Sequence, residues 1–249
     1  MEVPEWLWPV LASPFIGSFL GVLVTRLPAD RPVAVGRSAC DQCGHALGPL
    51  DLVPLVSWLA LRGRCRHCGA NITALPLIIE IGALLVAVWA ASVSIGLALW
   101  AGCVLGWVLL TLGAIDIRDG ILPDVLTLPL VVLGLVATSF LTPWQMLDSA
   151  VGAVVGFTIF ALIRWLYRRL RGREGMGLGD AKLLAATGAW VTWDGLPSVV
   201  LIAAVTGLVL ALIMARRGAP LTLNQRIPFG PALCLGTWLV WLYGPITGP

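Results

Sequence analysis

Eight apolar runs divide this chain, and they restrict it to helices that lie in a bilayer. They fall near Trp8–Thr25, Leu75–Val93, Leu97–Ile115, Val125–Leu141, Leu147–Leu166, Ala181–Trp193, Leu196–Ala215 and Phe229–Tyr243. About 20 helical residues cross a hydrocarbon core ~30 Å thick, so the sixth run is short for a crossing. Composition agrees: 59% of residues are apolar and 12% charged, against roughly 45–50% and 25% in a soluble domain. The expected fold is therefore an all-α polytopic membrane protein of about eight transmembrane helices. Twelve tryptophans suit the headgroup level of a bilayer.

Charge placement sets the orientation. With the amino terminus outside and one crossing per run, all 16 Lys and Arg residues fall on one side or at its helix ends. They run from Arg26 to Arg66, through Arg118, from Arg164 to Lys182, and from Arg216 to Arg226. The opposite loops hold Glu2, Glu5, Asp148 and Asp194 and no base. The positive-inside rule makes the basic side cytoplasmic. A seven-span reading would put the last basic loop outside, so the short sixth run counts as a crossing. The first run does not read as a cleaved signal peptide, because Glu2 and Glu5 stand where basic residues belong. No basic cluster interleaved with aromatics points to nucleic acid.

Residues 26–74 form the one polar insert of any size. It carries CDQCG (Cys40 to Gly44) and CRHCG (Cys65 to Gly69), a short internal repeat. Two residues between cysteines let both thiolates meet one tetrahedral metal, and the glycine permits the tight turn beneath them. Cys40, Cys43, Cys65 and Cys68 are the expected zinc ligands, with His45 and His67 as alternatives. A pair of disulfides is the other reading, but these cysteines fall on the reducing side. A complete four-cysteine shell leaves no open position, so the zinc would be structural. The apolar segment Leu50 to Leu61 between the knuckles is placed to pack on the membrane face. Cys103 and Cys234 lie alone in apolar runs and read as small core residues.

Carboxylates at membrane spans are costly. GAIDIRDGILPD places Asp116, Asp119 and Asp124 just after the third run. Asp119 with Gly120 reads as the turn that ends the helix, and Asp124 as a cap for the next. Asp116 still belongs to the apolar helix, with pairing to Arg118 as its structural alternative. GMGLGDAK, Gly175 to Lys182, puts Asp180 on the same face behind three glycines. Gly177 and Gly179 permit unusual backbone angles and keep the approach to Asp180 open to an extended peptide; capping of the sixth helix is the alternative for Asp180. Two carboxylates on different spans at one depth suit acid–base hydrolysis of a peptide bond, because at close range they share a proton. One member activates water and the other protonates the scissile amide. No H-E-x-x-H or G-x-S-x-G competes.

With these motifs in place, the chain resembles the type IV prepilin peptidases (leader peptidase/N-methyltransferases), membrane aspartic proteases with a G-x-G-D motif. The resemblance runs through GSFLGVLVTRLP, CDQCGH, PLVSWLALRGRCRHC, PLIIEIGALL, AIDIRDGILPD, GMGLGDAKLLAATGAW and IPFGPAL in order. It implies Asp116 and Asp180 as catalytic aspartates, with Gly177, Gly179, Glu80 and Lys182 as active-site support. It implies cleavage of a short basic leader from prepilins or pilin-like secretion proteins at the cytoplasmic face of the bacterial inner membrane. Methylation of the new amino terminus from S-adenosylmethionine would follow. Residues 1–95 would then carry the methyltransferase-associated insert and residues 96–249 the peptidase. Asp41 stands where relatives often have proline, and HALGPLDLVP is less aromatic than the family's usual version.

Glu80 lies about one turn inside the second run. It either reaches to the interface, pairs with a base such as Arg118, or, by the resemblance, serves the active cavity or methyl transfer. Two rival classes remain: a cation- or proton-coupled transporter using the same carboxylates, and a non-catalytic assembly factor built on the cysteine insert.

Overall fold

A computed structural model describes residues 4–33, 38–40, 42–172, 177–216 and 229–246. Glu2, Asp41, Gly175, Met176, Arg226, Ile227 and Pro228, all singled out above, lie outside these residues. Helices α1 (Leu7–Arg26), α3 (Leu75–Val93), α4 (Gly96–Asp119), α5 (Asp124–Leu141), α6 (Met146–Arg171) and α7 (Leu178–Arg216) follow the apolar runs. Among the described residues, six helical segments are long and apolar enough to cross a membrane, and α8 (Gly230–Tyr243) is a shorter apolar helix. The five-residue α2 (Val56–Ala60) lies in the polar insert. Among the described residues, β structure is limited to two isolated bridges.

Helix α7 carries the sixth and seventh runs together. Its 39 residues would extend about 58 Å if straight, roughly twice the hydrocarbon thickness. It is not straight, because Thr192 inside it has φ 62° and ψ 177°. Contacts with α8 show what the break does. Thr187 Oγ1 lies 2.8 Å from Thr237 Oγ1, and the Trp190 ring meets Trp241 edge-on at 5.1 Å, so the two segments run parallel there. Past the break, Gly195 faces Val240 and Val199 faces Gly236, so the direction is opposite. The chain therefore reverses at Thr192, whose hydroxyl donates to Asp194. Residues 178–191 and 193–216 are two arms, which accounts for a sixth run too short to be an independent long helix.

The chain divides into two compact units, Met1–Thr111 and Leu112–Pro249. In the first, α1 packs on α3, and the Trp107 indole donates to the Ala83 carbonyl at 3.0 Å. In the second, α7 is central and meets α5, α6 and α8. The Trp193 indole donates to Asp148 at 3.2 Å, so two of the acidic loop residues converge at the reversal.

Helices in lipid gain little from hydrophobicity against each other and associate through close packing of small residues. Gly152 and Gly156 of α6 lie four apart on one face. A Cβ on Gly152 would fall 2.6 Å from the Gly188 carbonyl oxygen, and one on Gly156 2.5 Å from that of Leu184. The buried Thr138–Ser149 contact at 3.1 Å adds only ~0.6 kcal/mol by the average for such bonds, so the glycine seam dominates. Gly152→Leu is expected to lower the thermal midpoint of the solubilised protein by roughly 2–10 °C, as overpacking of about 1–3 kcal/mol implies. An unchanged midpoint would show that α6 and α7 do not meet along this seam.

Candidate active site

Asp116 occupies the last turn of α4 and is 7% exposed. Its Oδ2 accepts the backbone N–H of Gly230 at 3.1 Å. Gly230 is the first residue of α8, so the carboxylate sits on a helix amino terminus, where the backbone amides and the dipole both favour an anion. A side chain on Gly230 would place its Cβ 2.6 Å from that same oxygen.

Asp180 lies in the first turn of α7. Its carboxylate accepts from the backbone of Gly177, the residue just before the helix, which is half of a capping box. Asp116 and Asp180 lie within electrostatic reach of one another. Buried Cys234, in the second turn of α8, is within reach of both. Capping and juxtaposition with Asp116 thus both hold for Asp180.

The glycines before Asp180 work differently from the sequence expectation. Gly179 does not adopt a positive φ. A Cβ on Gly179 would lie 2.9 Å from Cβ of Leu122, so that space is filled by the α4–α5 loop. Among the described residues, the Asp180 carboxylate, at 3.4 Å, and the Gly179 nitrogen lie near the corresponding position at Gly177.

Asp124 opens α5, but its side chain makes no cap, and the N-cap is Pro123. Instead Lys182 Nζ donates to both Asp124 oxygens at 2.6 Å, joining the first turn of α5 to the second turn of α7. The Asp124 side chain is 54% exposed, and exposed pairs are worth ~0.2–1 kcal/mol. A double-mutant cycle on Lys182→Ala and Asp124→Ala should give a coupling below about 1 kcal/mol. A much larger coupling would make the pair a principal clamp on the Asp180 turn. Asp119 ends α4 beside the Gly120 turn, with Arg118 Nε 3.7 Å from its carboxylate.

The two cysteine turns in the first unit repeat one another closely. Cys40 N–H donates to the His45 carbonyl at 3.0 Å, and Cys65 N–H to that of Ala70 at 2.8 Å. The Gly44 and Gly69 amides each return to the first cysteine carbonyl at 2.9 Å, and both glycines have φ 69°. All six cysteines are free thiols. The sulfurs of Cys40, Cys43, Cys65 and Cys68 lie within 4.8 Å of one another, with Cys40 and Cys68 3.9 Å apart. Zn–S bonds of ~2.3 Å at tetrahedral angles separate sulfurs by about 3.8 Å, so the donor set fits zinc. The backbone amides of Cys43 and then Gln42 pull the Cys40 thiol down to about 7, whereas at Cys68 the Ala70 amide does not offset desolvation and the neighbouring thiols, and that thiol is pushed up to about 11, as when the first thiolate of a close group opposes the next. His45 and His67 are outside this grouping and pack against each other, ring centroids 3.5 Å apart.

Asp51 braces the insert. Its carboxyl is held below the usual range by the Arg66 guanidinium, at 2.8 Å, and then by the Gly48 N–H. That contribution to stability is present above the unfolded-state value and is lost as pH falls through the folded one. Glu80, 6% exposed in α3, turns towards the insert: its Oε2 accepts the Leu55 N–H at 2.7 Å.

Sequence reasoning missed Gly230 as the partner of Asp116. A Gly-Pro step opening the last apolar run marks a helix start, but nothing local announces a bond to a residue 114 positions away.

The sequence pattern of the Type IV leader peptidase family matches residues 103–212. That of the bacterial Peptidase A24 N-terminal domain matches residues 11–93. A prepilin leader peptidase/N-methyltransferase of Burkholderia pseudomallei (strain 1026b) is 44% identical over 256 residues, covering 92% of this chain and 82% of its own. Proteins of the same name are 38% identical in Aeromonas salmonicida (strain A449) and 37% identical in Pseudomonas aeruginosa. Each of those two alignments covers 94% of this chain and 89% of the relative. No solved structure matches the chain. Neither matched pattern is that of a transporter.

Proposed function

The chain belongs to the type IV leader peptidase family, and we propose that Asp116 and Asp180 are the dyad with which it cuts the leader from prepilins or pilin-like secretion proteins. It is a prepilin peptidase with N-methyltransferase activity, in line with the name its relatives share, and its six long apolar helices fit a multi-pass inner-membrane protein. The observation that carries the dyad is the approach of two carboxylates from separate helices, each held by a helix amino-terminal amide.

The chemistry follows from that geometry. One proton shared by the pair leaves one carboxylate ionised and one protonated. The ionised member takes a proton from water as its oxygen attacks the scissile carbonyl carbon. The protonated member supplies a proton to the departing amide nitrogen. The C–N bond breaks, leaving a carboxylic acid on the leader and a free amine on the mature protein. Gly230 fixes the Asp116 rotamer through its N–H, and Gly177 fixes that of Asp180. Gly177 itself adds no side chain beside the Asp180 carboxylate. The bias of Lys and Arg to one side supports a site at the cytoplasmic face, where the short basic leader would lie.

The second activity belongs, in this reading, to residues 1–95 with the cysteine insert, and the first to residues 96–249. Zinc on Cys40, Cys43, Cys65 and Cys68 would hold the two knuckles together as a structural ion. S-adenosylmethionine, when bound, supplies an electrophilic methyl group for the new amine. No glycine-rich methyl-donor loop marks its seat, so this half rests on the relatives' name.

Mass spectrometry of a candidate precursor incubated with the purified enzyme tests both halves. The expected products are a shortened chain without S-adenosylmethionine and the same chain plus one methyl group with it. An uncut precursor would overturn the peptidase assignment, and a cut but never methylated one the transferase assignment.

A further inference from the structure

Glu80 is a buried carboxylate outside the dyad. It sits in the second turn of α3, and α1 closes directly over it. A Cβ on Gly17 would lie 2.6 Å from the Glu80 Cα, so only glycine lets the two helices meet there. The glutamate side chain leaves this seam to accept the Leu55 N–H at 2.7 Å. Leu55 is unusual in its own right, with φ 62° in a residue that is not glycine. Such a conformation is costly and persists only where neighbouring contacts hold it.

Leu55 also stands at a structural junction. It precedes α2, whose Trp58 packs on the Gly63 turn; a Cβ there would meet the indole Cζ2 at 2.8 Å. Gly63 in turn accepts the Ile72 N–H at 2.7 Å, and between these two residues lies the second cysteine knuckle. A chain of contacts thus runs from α3, through Glu80 and Leu55, to Cys65 and Cys68.

We infer that Glu80 is a positioning residue: its carboxylate oxygen straps the cysteine insert to the α1–α3 pair by holding Leu55 at the positive φ of a tight turn, which the Val56 N–H closes on the Pro54 carbonyl. The role requires an acceptor at that position and not a charge. The consequence for methyl transfer rests on the reading that the insert serves that activity.

Glutamine separates these possibilities, since it keeps an acceptor oxygen on the same side chain and removes the charge. In Glu80→Gln, the methylated fraction of cleaved product should stay within about two-fold of wild type, as expected when the hydrogen bond survives. In Glu80→Ala that fraction should fall at least about ten-fold, the effect of one lost bond between a buried carboxylate and a half-buried amide. Hydrogen exchange at the Leu55 amide should rise by about ten-fold or more in Glu80→Ala and change little in Glu80→Gln. A glutamine variant as impaired as the alanine variant would overturn the strap and assign Glu80 a charged role. Unchanged Leu55 exchange in Glu80→Ala would overturn it directly. If the wild type does not methylate at all, the transferase reading fails, and exchange at Leu55 still decides the strap.

Discussion

Asp116→Asn and Asp180→Asn should each slow leader cleavage by about 10³-fold or more, the scale of losing an acid–base carboxylate, or about 4 kcal/mol of barrier. Asparagine is the informative replacement. It has nearly the shape of aspartate and keeps an oxygen that can accept the Gly230 N–H now bound to Asp116. Likewise its oxygen can still accept from the Gly177 backbone at position 180. The helix starts at α7 and α8 should therefore survive, and the loss would report the chemistry. Membrane insertion and thermal midpoint should remain near wild type, because surrounding residues such as Ile115, Leu183 and Leu233 keep their packing. A variant that still processes precursor at the wild-type rate would remove that aspartate from the mechanism.

The second large effect is expected in the other unit. Cys40→Ser with Cys65→Ser removes one sulfur from each knuckle. Metal content should fall from about one zinc per chain to near zero, since a structural site needs its complete tetrahedral shell. Binding energy of ~10–16 kcal/mol for structural zinc is folding energy for a small metal domain, so the insert should open. The left-handed turns at Gly44 and Gly69 would lose their protection against hydrogen exchange. The methylated fraction of cleaved product should drop by at least about ten-fold, the lower range for damage to a metal site. Wild-type methylation by this variant would separate the insert from the transferase activity.

Lipid made the helices legible. A span must be apolar for nearly its whole length, so the runs could be read directly from residue order, as α3 shows at Leu75–Val93. The knuckles were legible for a different reason: metal geometry fixes the spacing of their cysteines, and the turn fixes the glycine. What escaped were bonds between distant segments. Lys182 meets Asp124 across 58 positions, and Asp116 meets Gly230 across 114, with no periodicity to signal either. Asp124 looked like a cap because its local context, Pro123 then Val125, suits one; a lysine from another helix was the stronger partner. Gly179 looked like open space because a glycine says only that something is absent, and Leu122 from the preceding loop fills the gap.

The central claim is that Asp116 and Asp180 act as one unit on the scissile amide. The direct measurement is precursor cleavage, followed by mass spectrometry, for the wild type, both single asparagine variants and the double variant in the same membranes. Residues that act together lose no more when both are removed than when one is. The dyad predicts three variants equally inactive, with the double no slower than either single. Residual rates that multiply in the double variant, or one single variant that cleaves normally, would contradict it.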